Sequence, residues 1–243
     1  MLRLILIVLV LLIFFIANII LLPVEWIIGK INPRAKEVSS LAIVRFMFKL
    51  ILFLAGTKTT IIGLENIPKD EPVVFIGNHH GFFDTIVSYS LMKRPTAFVA
   101  KKEMSKFLFV RRWMQNMNCL FLDRKNIKEG LKTILKGIEL LKGDTSVVIF
   151  PEGTRNKGDG VLEFHAGSFK LADKSGRKII PMVQNNTEAI FENQLHFIKK
   201  AHNVIEFCKP IDLSTLSAED RKNIAAYTRN IVAETYEKNK ALI

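Results

Sequence analysis

The sequence predicts an α/β fold, in which a mostly buried sheet is flanked by helices and preceded by a hydrophobic amino-terminal segment. From residue 58 onward, short apolar runs rich in β-branched residues alternate with helical segments. This alternation is typical of a sheet with both faces covered. From Leu4 to Leu22, in contrast, only Asn18 is not apolar. A chain of 243 residues accommodates one such domain together with the appended segment.

Apolar runs and their spacing predict the elements of the domain. The predicted strands cover residues 72–77, 97–100, 119–122, 146–150, 179–183 and 204–207. The predicted helices between and after them cover about 85–92, 102–117, 126–141, 167–173 and 218–238. Ser217 is expected to cap the last helix, because a serine hydroxyl accepts a hydrogen bond from a free N–H group of the first turn.

The amino-terminal segment is predicted to form two helices. The first runs from Leu2 to about Leu22 and is expected to end at Pro23; at ~1.5 Å per residue its apolar part is about 28 Å long, close to the hydrocarbon thickness of a bilayer. The second covers about 39–54, and its charges Arg45 and Lys49 suit a helix at a membrane surface. A cleavable signal peptide fits less well, because no small-residue cleavage site follows. We therefore divide the chain into a membrane-anchoring segment, 1–56, and an α/β domain, 57–243, which contains all the candidate site residues described below.

The net charge of +12 predicts an anionic partner, which is a nucleic acid, an anionic lipid or a phosphorylated substrate. Between Lys30 and Thr60 there are six basic residues and one acidic residue. Such a flank indicates the cytoplasmic side of a membrane rich in anionic lipid, although an ordinary solvated basic face gives the same pattern. A nucleic-acid-binding surface would interleave aromatic and basic residues, whereas most phenylalanines here lie in apolar runs. Cys119 and Cys208 suggest neither a disulfide framework nor a metal site.

The segment from Asn78 to Asp84, with the sequence Asn-His-His-Gly-Phe-Phe-Asp, lies between a predicted strand and a predicted helix. A turn there would bring Asp84 back onto the imidazole of His79. A carboxylate bound to one ring nitrogen fixes the tautomer and leaves the other nitrogen free to act as a base. No G-x-S-x-G nucleophile motif is present, so the base would activate a hydroxyl of the substrate. A metal site and a purely structural loop are the alternatives.

A second polar segment, Phe150 to Asn156, follows another buried strand, at the kind of strand end where α/β proteins bind ligands. Arg155 offers a planar fork that matches two phosphate oxygens, and Gly153 and Thr154 offer backbone N–H groups. The alternative is a surface turn with a solvated arginine. Weaker candidates at other strand ends are Lys101 and Arg124, which are equally compatible with solvated side chains.

In order and spacing, these segments resemble the motifs of the PlsC-type glycerolipid acyltransferases, the 1-acylglycerol-3-phosphate acyltransferase family. The family patterns N-H-x-S-x-x-D, F-x-D-R, F-P-E-G-T-R and I-P, together with F-x-x-G-x-x-x-L-A, are matched at residues 78–84, 121–124, 150–155, 180–181 and 164–172. The resemblance covers roughly residues 60–210. Gly81 departs from it, because it stands where the family usually has a serine. The proline that often follows the family's K-K-E-L-like stretch is also missing after Met104.

The resemblance implies that His79 is the general base and that Asp84 orients it. Arg155, with Glu152, Gly153 and Thr154 of the same loop and with Lys101 and Arg124, would bind the phosphate of the acceptor. The implied reaction transfers a fatty acyl group from acyl-CoA or acyl carrier protein to the sn-2 hydroxyl of 1-acylglycerol 3-phosphate. Glycerol 3-phosphate or another lysophospholipid is the alternative acceptor.

The same resemblance implies the cofactors, the partners and the cellular location of the protein. No metal or bound cofactor is expected, since the thioester is a co-substrate. The expected partners are lysophosphatidic acid, the thioester donor and anionic membrane lipid, without nucleic acid. The expected location is the cytoplasmic face of the cell membrane.

Overall fold

A computed structural model describes all residues, 1–243, and contains one seven-stranded sheet. The strands are β1 (Lys58–Ile62), β2 (Val74–Gly77), β3 (Thr96–Lys101), β4 (Leu120–Leu122), β5 (Ser146–Ile149), β6 (Ile179–Asn185) and β7 (His202–Phe207). Their order across the sheet is β1-β7-β6-β2-β5-β3-β4. The five strands from β6 to β4 are parallel, and β7 runs antiparallel to β6 with β1 parallel to β7. The predicted α/β class with a mixed sheet is confirmed.

Helices cover both faces of this sheet. They are α1 (Leu2–Ile31), α2 (Pro33–Ala55), α3 (Phe82–Leu91), α4 (Leu108–Asn116), α5 (Ile127–Lys142), α6 (Lys170–Ser175), α7 (Ala218–Lys222) and α8 (Ile224–Asn239). On one face, α5, α6 and α8 contribute Ile138, Leu171 and Val232 to a core of 20 buried residues. On the other face, α2, α3 and α4 contribute to a core of 16. The central strands are therefore buried on both sides, which explains their nearly continuous apolar sequences.

The predicted end of the first helix at Pro23 is wrong, because α1 continues through this residue to Ile31. Proline removes one helical hydrogen bond, but tertiary contacts beyond it hold the following turn. The buried carboxylate of Glu25 accepts hydrogen bonds of 2.9 Å from the hydroxyls of Ser39 and Ser40 on α2. These contacts join the two helices into a hairpin beyond the proline.

The hairpin presents a large apolar surface. Both helices are long and apolar enough to cross a membrane, by length and composition, and most of the large apolar side chains of α1 are exposed. The hairpin is also fixed to the domain, since Trp113 Nε1 donates a hydrogen bond of 2.8 Å to the side-chain oxygen of Asn18. Exposed apolar surface of this extent is typical of a segment that contacts lipid or another protein.

Other predicted elements are confirmed within a few residues, with four differences. The second helix, predicted to begin near residue 39, begins at Pro33, because the side chain of Asn32 caps it by accepting from the Ala35 N–H. The edge strand β1 is not among the strands predicted from the sequence. The predicted helix 102–117 begins with a 3₁₀ turn, Lys102–Lys106, before α4. The predicted last helix divides at Asn223 into α7 and α8, and Ser217 caps α7 through its hydroxyl as expected.

Because β2, β5 and β6 are parallel neighbours in the sheet, the loops that follow them leave from the same edge. The loop after β2 contains residues 78–81, the loop after β5 contains 150–156, and the loop after β6 contains Asn186 and Thr187. The topology thus collects at one edge three segments that are far apart in the sequence.

Candidate active site

His79 and Asp84 meet as the spacing predicts. The Nδ1 atom of His79 lies 2.7 Å from Oδ2 of Asp84. A carboxylate oxygen accepts hydrogen bonds, so Nδ1 is the donor in this contact. In the neutral imidazole, Nε2 is then the nitrogen without a proton. The His79 ring is 22% exposed whereas the Asp84 side chain is fully buried. The imidazole of His79 is therefore partly accessible to solvent, whereas the Asp84 carboxylate that orients it is buried.

The Asp84 carboxylate is held by four donors. Its Oδ2 also accepts hydrogen bonds from the backbone N–H groups of His80, at 2.6 Å, and Gly81, at 2.8 Å. Its Oδ1 accepts a hydrogen bond from the hydroxyl of Thr187. Thr187, fully buried after β6, was not identified by the sequence analysis. No local pattern indicates it, because it lies 103 residues from Asp84.

The loop after β5 packs directly on His79. The ring of Phe150 stacks on the imidazole with centroids 4.4 Å apart and an interplanar angle of 10°. The backbone N–H of Asn156 donates to the carbonyl oxygen of His79 at 2.7 Å. Gly153 has φ of 72°, a left-handed conformation that favours glycine, and its N–H donates to Phe150 O. Consequently the loop backbone holds His79 in place, and of the two N–H groups proposed for an anion, that of Gly153 is already engaged.

Arg155, in the loop after β5, borders a cavity next to the histidine loop, where His80 and Phe82 also line it. Its guanidinium carbon is 4.1 Å from the centroid of the Phe82 ring, and its Nη1 is 3.5 Å from Oε1 of Glu192. The side chain is 39% exposed, so the guanidinium can be reached from solvent. Arg155 and Glu192 line this cavity of about 620 Å³, which also borders Phe82 and Tyr236. Glu192 is a second residue that the sequence analysis did not identify.

Glu152, in contrast, is 4% exposed and points into the domain. Its Oε1 accepts a hydrogen bond of 3.2 Å from the backbone N–H of Leu162. Burial raises the pKa of the Glu152 carboxyl to about 7, partly offset by hydrogen bonding to the backbone of Leu162 and His79. These contacts fasten the loop after β5 to the segment around Leu162.

Three predicted site residues remain, Lys101, Arg124 and Thr154, together with His80, the neighbour of His79. Lys101 ends β3 and Arg124 follows β4, both exposed at the same edge of the sheet, two and three strands from β2. Thr154 is exposed beside Arg155. His80 points away from His79: it is 4% exposed and stacks on Tyr236 with centroids 5.2 Å apart. No group of three or more His, Cys, Asp or Glu side chains is placed to hold a metal ion.

Known proteins are similar to this chain in sequence and in fold. The family model described as acyltransferase matches residues 58–185. A 1-acyl-sn-glycerol-3-phosphate acyltransferase of Borreliella burgdorferi is 31% identical over 201 residues, which cover 83% of this chain and 80% of the relative. The protein of the same name from Haemophilus influenzae is 29% identical, with 82% of each chain covered. The crystal structure of PlsC from Thermotoga maritima, described as a 1-acyl-sn-glycerophosphate acyltransferase, has a TM-score of 0.79 at 22% identity and 98% coverage of both chains.

The fold and the matched residues define an acyl-transferring enzyme. The match spans more than half of the chain and includes both the histidine loop and the arginine loop. The chain belongs to the acyltransferase family, among its PlsC-type 1-acylglycerol-3-phosphate acyltransferases.

Proposed function

We propose that this protein transfers a fatty acyl group from a thioester, acyl-CoA or acyl carrier protein, to the sn-2 hydroxyl of 1-acylglycerol 3-phosphate, giving phosphatidic acid. The observation that carries this proposal is the pair formed by His79 and Asp84, whose imidazole stacks on Phe150 of the loop that carries Arg155. The names of the relatives agree with this acceptor.

In this reaction His79 Nε2 takes the proton of the acceptor hydroxyl as its oxygen attacks the thioester carbonyl. The imidazolium that forms is stabilised by the Asp84 carboxylate 2.7 Å from Nδ1. Collapse of the tetrahedral intermediate expels the thiolate, which receives the proton back from His79. The loop backbone and the ring of Phe150 fix the imidazole before substrate arrives, and this positioning lowers the barrier.

The acceptor's phosphate is proposed to bind Arg155. A planar guanidinium forms paired hydrogen bonds with phosphate oxygens, and Arg155 is accessible from the cavity and adjacent to Phe82 at the start of α3. Thr154, with Lys101 and Arg124 along the same edge, would add donors and positive charge. Glu152, whose carboxyl is buried, would contribute by holding this loop in place, and Gly153 by its left-handed turn.

The membrane segment, residues 1–56, is proposed to hold the domain 57–243 against the cytoplasmic leaflet. The exposed apolar face of α1 and the basic residues that follow it support this orientation. Arg45 and Lys49 on α2 disfavour a second full span, since each costs about 2.5–3.5 kcal/mol at a bilayer centre on insertion scales. An active site at the interface would accept a lysolipid without extracting it from the leaflet.

An acyltransferase assay tests the proposed function. Membranes containing the protein are incubated with lysophosphatidic acid and a panel of acyl-CoA and acyl carrier protein thioesters, and products are followed by mass spectrometry. We expect phosphatidic acid to form with at least one donor and the activity to survive a metal chelator. Acylation confined to glycerol 3-phosphate or to a lysophospholipid with a head group would refute the proposed acceptor. Loss of activity in chelator would indicate a metal-dependent reaction instead.

A further inference from the structure

Gly81 is a glycine for a reason other than backbone conformation. Its φ and ψ, −149° and 175°, are extended and open to any residue. A Cβ atom at this position, however, would lie only 2.8–2.9 Å from the carboxylate atoms of Glu192. The missing side chain therefore makes room for Glu192, at the position where the family usually has a serine.

The Glu192 carboxylate occupies a site built for an anion. Its Oε1 accepts a hydrogen bond from the backbone N–H of Phe82, the first residue of α3, and lies 3.5 Å from Nη1 of Arg155. Its other oxygen, Oε2, is buried without a hydrogen-bond partner. Free N–H groups at a helix start and a guanidinium are the donors that bind phosphate in many proteins.

A phosphate group and the charged Glu192 carboxylate cannot both occupy the site beside Arg155. Arg155 is the residue proposed to bind the acceptor's phosphate, and a phosphate on the guanidinium would approach the Glu192 carboxylate closely, where like charges repel. The charged carboxylate is already disfavoured: burial raises the pKa of Glu192, and the nearby charge of Asp84 acts in the same direction. Phosphate binding therefore requires Glu192 to move or to take up a proton.

We propose that Glu192 is a specificity-determining residue that occupies the phosphate subsite of the empty enzyme and is displaced by the acceptor. This inference rests on the proposed function. Competition with Glu192 lowers the affinity for every acceptor. An acceptor without an anionic group has nothing to replace the carboxylate on Arg155 and is excluded. The absence of a side chain at Gly81 gives the Glu192 carboxylate the room it needs in this position.

Replacement Glu192→Gln tests the proposal, because the amide keeps the size and can still accept from the Phe82 N–H but carries no charge. The KM for lysophosphatidic acid should fall about threefold to tenfold, while kcat changes less than twofold. The constant for competitive inhibition by inorganic phosphate should fall by a similar factor. The matched control is Glu139→Gln, the same charge change at an exposed residue of α5 that does not line this cavity, and it should leave both constants within twofold.

A second variant addresses the same contact from the other side. Gly81→Ser places a Cβ against the end of the Glu192 side chain and should push it away, so the phosphate inhibition constant should also fall. The combination with Glu192→Gln should then add little, because both changes remove one interaction.

A KM and a phosphate inhibition constant that rise or stay unchanged in Glu192→Gln would overturn the inference, since Glu192 would then orient Arg155 or play no part. Failure of the unsubstituted protein to acylate lysophosphatidic acid would instead refute the proposed function.

Discussion

Replacement of Asp84 by asparagine removes a charge and little else. Three N–H groups, from His79, His80 and Gly81, point at Oδ2, and the hydroxyl of Thr187 points at Oδ1. An asparagine satisfies this set in one orientation only, with its oxygen toward the three N–H groups and its NH₂ toward the hydroxyl, which can accept. The His79 ring and tautomer are therefore kept, and the missing quantity is the negative charge.

The cost follows from the geometry. With Nδ1 2.7 Å from Oδ2, the centres of the imidazolium and carboxylate charges lie about 4 Å apart. At an effective dielectric constant of about 20, such a pair is worth roughly 4 kcal/mol. Loss of most of this stabilisation in the transition state should lower kcat about 10²- to 10³-fold. The KM for the acceptor should change less than about threefold, because the imidazolium forms only during the reaction.

The assay is the steady-state rate of phosphatidic acid formation by purified Asp84→Asn protein in detergent. Asp84→Ala is the matched contrast. It leaves several buried donors without an acceptor and should lower the thermal midpoint as well as the rate. An Asp84→Asn protein that retains more than a tenth of the original kcat would refute the charge argument, as would a large rise in KM with kcat unchanged.

Three other predictions concern stability and membrane binding. His80→Ala should lower stability by about 2–3 kcal/mol, because the ring is buried against Tyr236, yet the folded variant should keep its turnover; loss of turnover at full stability would contradict this. Because burial raises the pKa of Glu152 to about 7, the folded state binds its proton more tightly, and stability falls as pH rises from about 4.5 to about 7. Glu152→Gln should therefore raise the free energy of unfolding relative to the unsubstituted protein more at pH 8 than at pH 5, by up to about 3 kcal/mol; an equal effect at both pH values would contradict the raised pKa of Glu152. Replacement of the exposed Ile16, Ile19 and Ile20 of α1 by aspartate should release much of the protein from membranes and impair activity on vesicle-borne acceptor, because these side chains form part of the apolar face proposed to contact lipid. Unchanged sedimentation with vesicles would contradict the anchoring role of α1.

The sequence predicts the parts of the fold that depend on local pattern. Buried strands with continuous apolar residues were located within a few positions, because both faces of the sheet are covered and no polar alternation confuses the pattern. The edge strand β1 was not predicted, because its residues are mostly half-exposed and it lacks the continuous burial of the central strands. The continuation of α1 past Pro23 was not predicted either. It depends on hydrogen bonds from Ser39 and Ser40 to Glu25, which are contacts between two helices and cannot be inferred from the local sequence.

The candidate site divides in the same way. His79 and Asp84 are close in sequence, and the turn that joins them is a local structure, so their contact was predictable. Thr187 contacts Asp84, and Glu192 contacts Phe82, each from about a hundred residues away, through the parallel arrangement of β2 and β6. Glycine at position 81 was a visible departure from the family pattern. Its meaning became apparent only with the Glu192 carboxylate above it.

The most direct test of the central claim compares the unsubstituted protein with His79→Ala, in equal amounts in membranes, for phosphatidic acid formed from lysophosphatidic acid and an acyl thioester. The account predicts robust formation by the unsubstituted protein and a rate near background for His79→Ala, although the variant still folds and binds membrane. Substantial product from His79→Ala would contradict the assignment of His79 as the base. Absence of product from both proteins, with every donor of the panel, would contradict the proposed reaction itself.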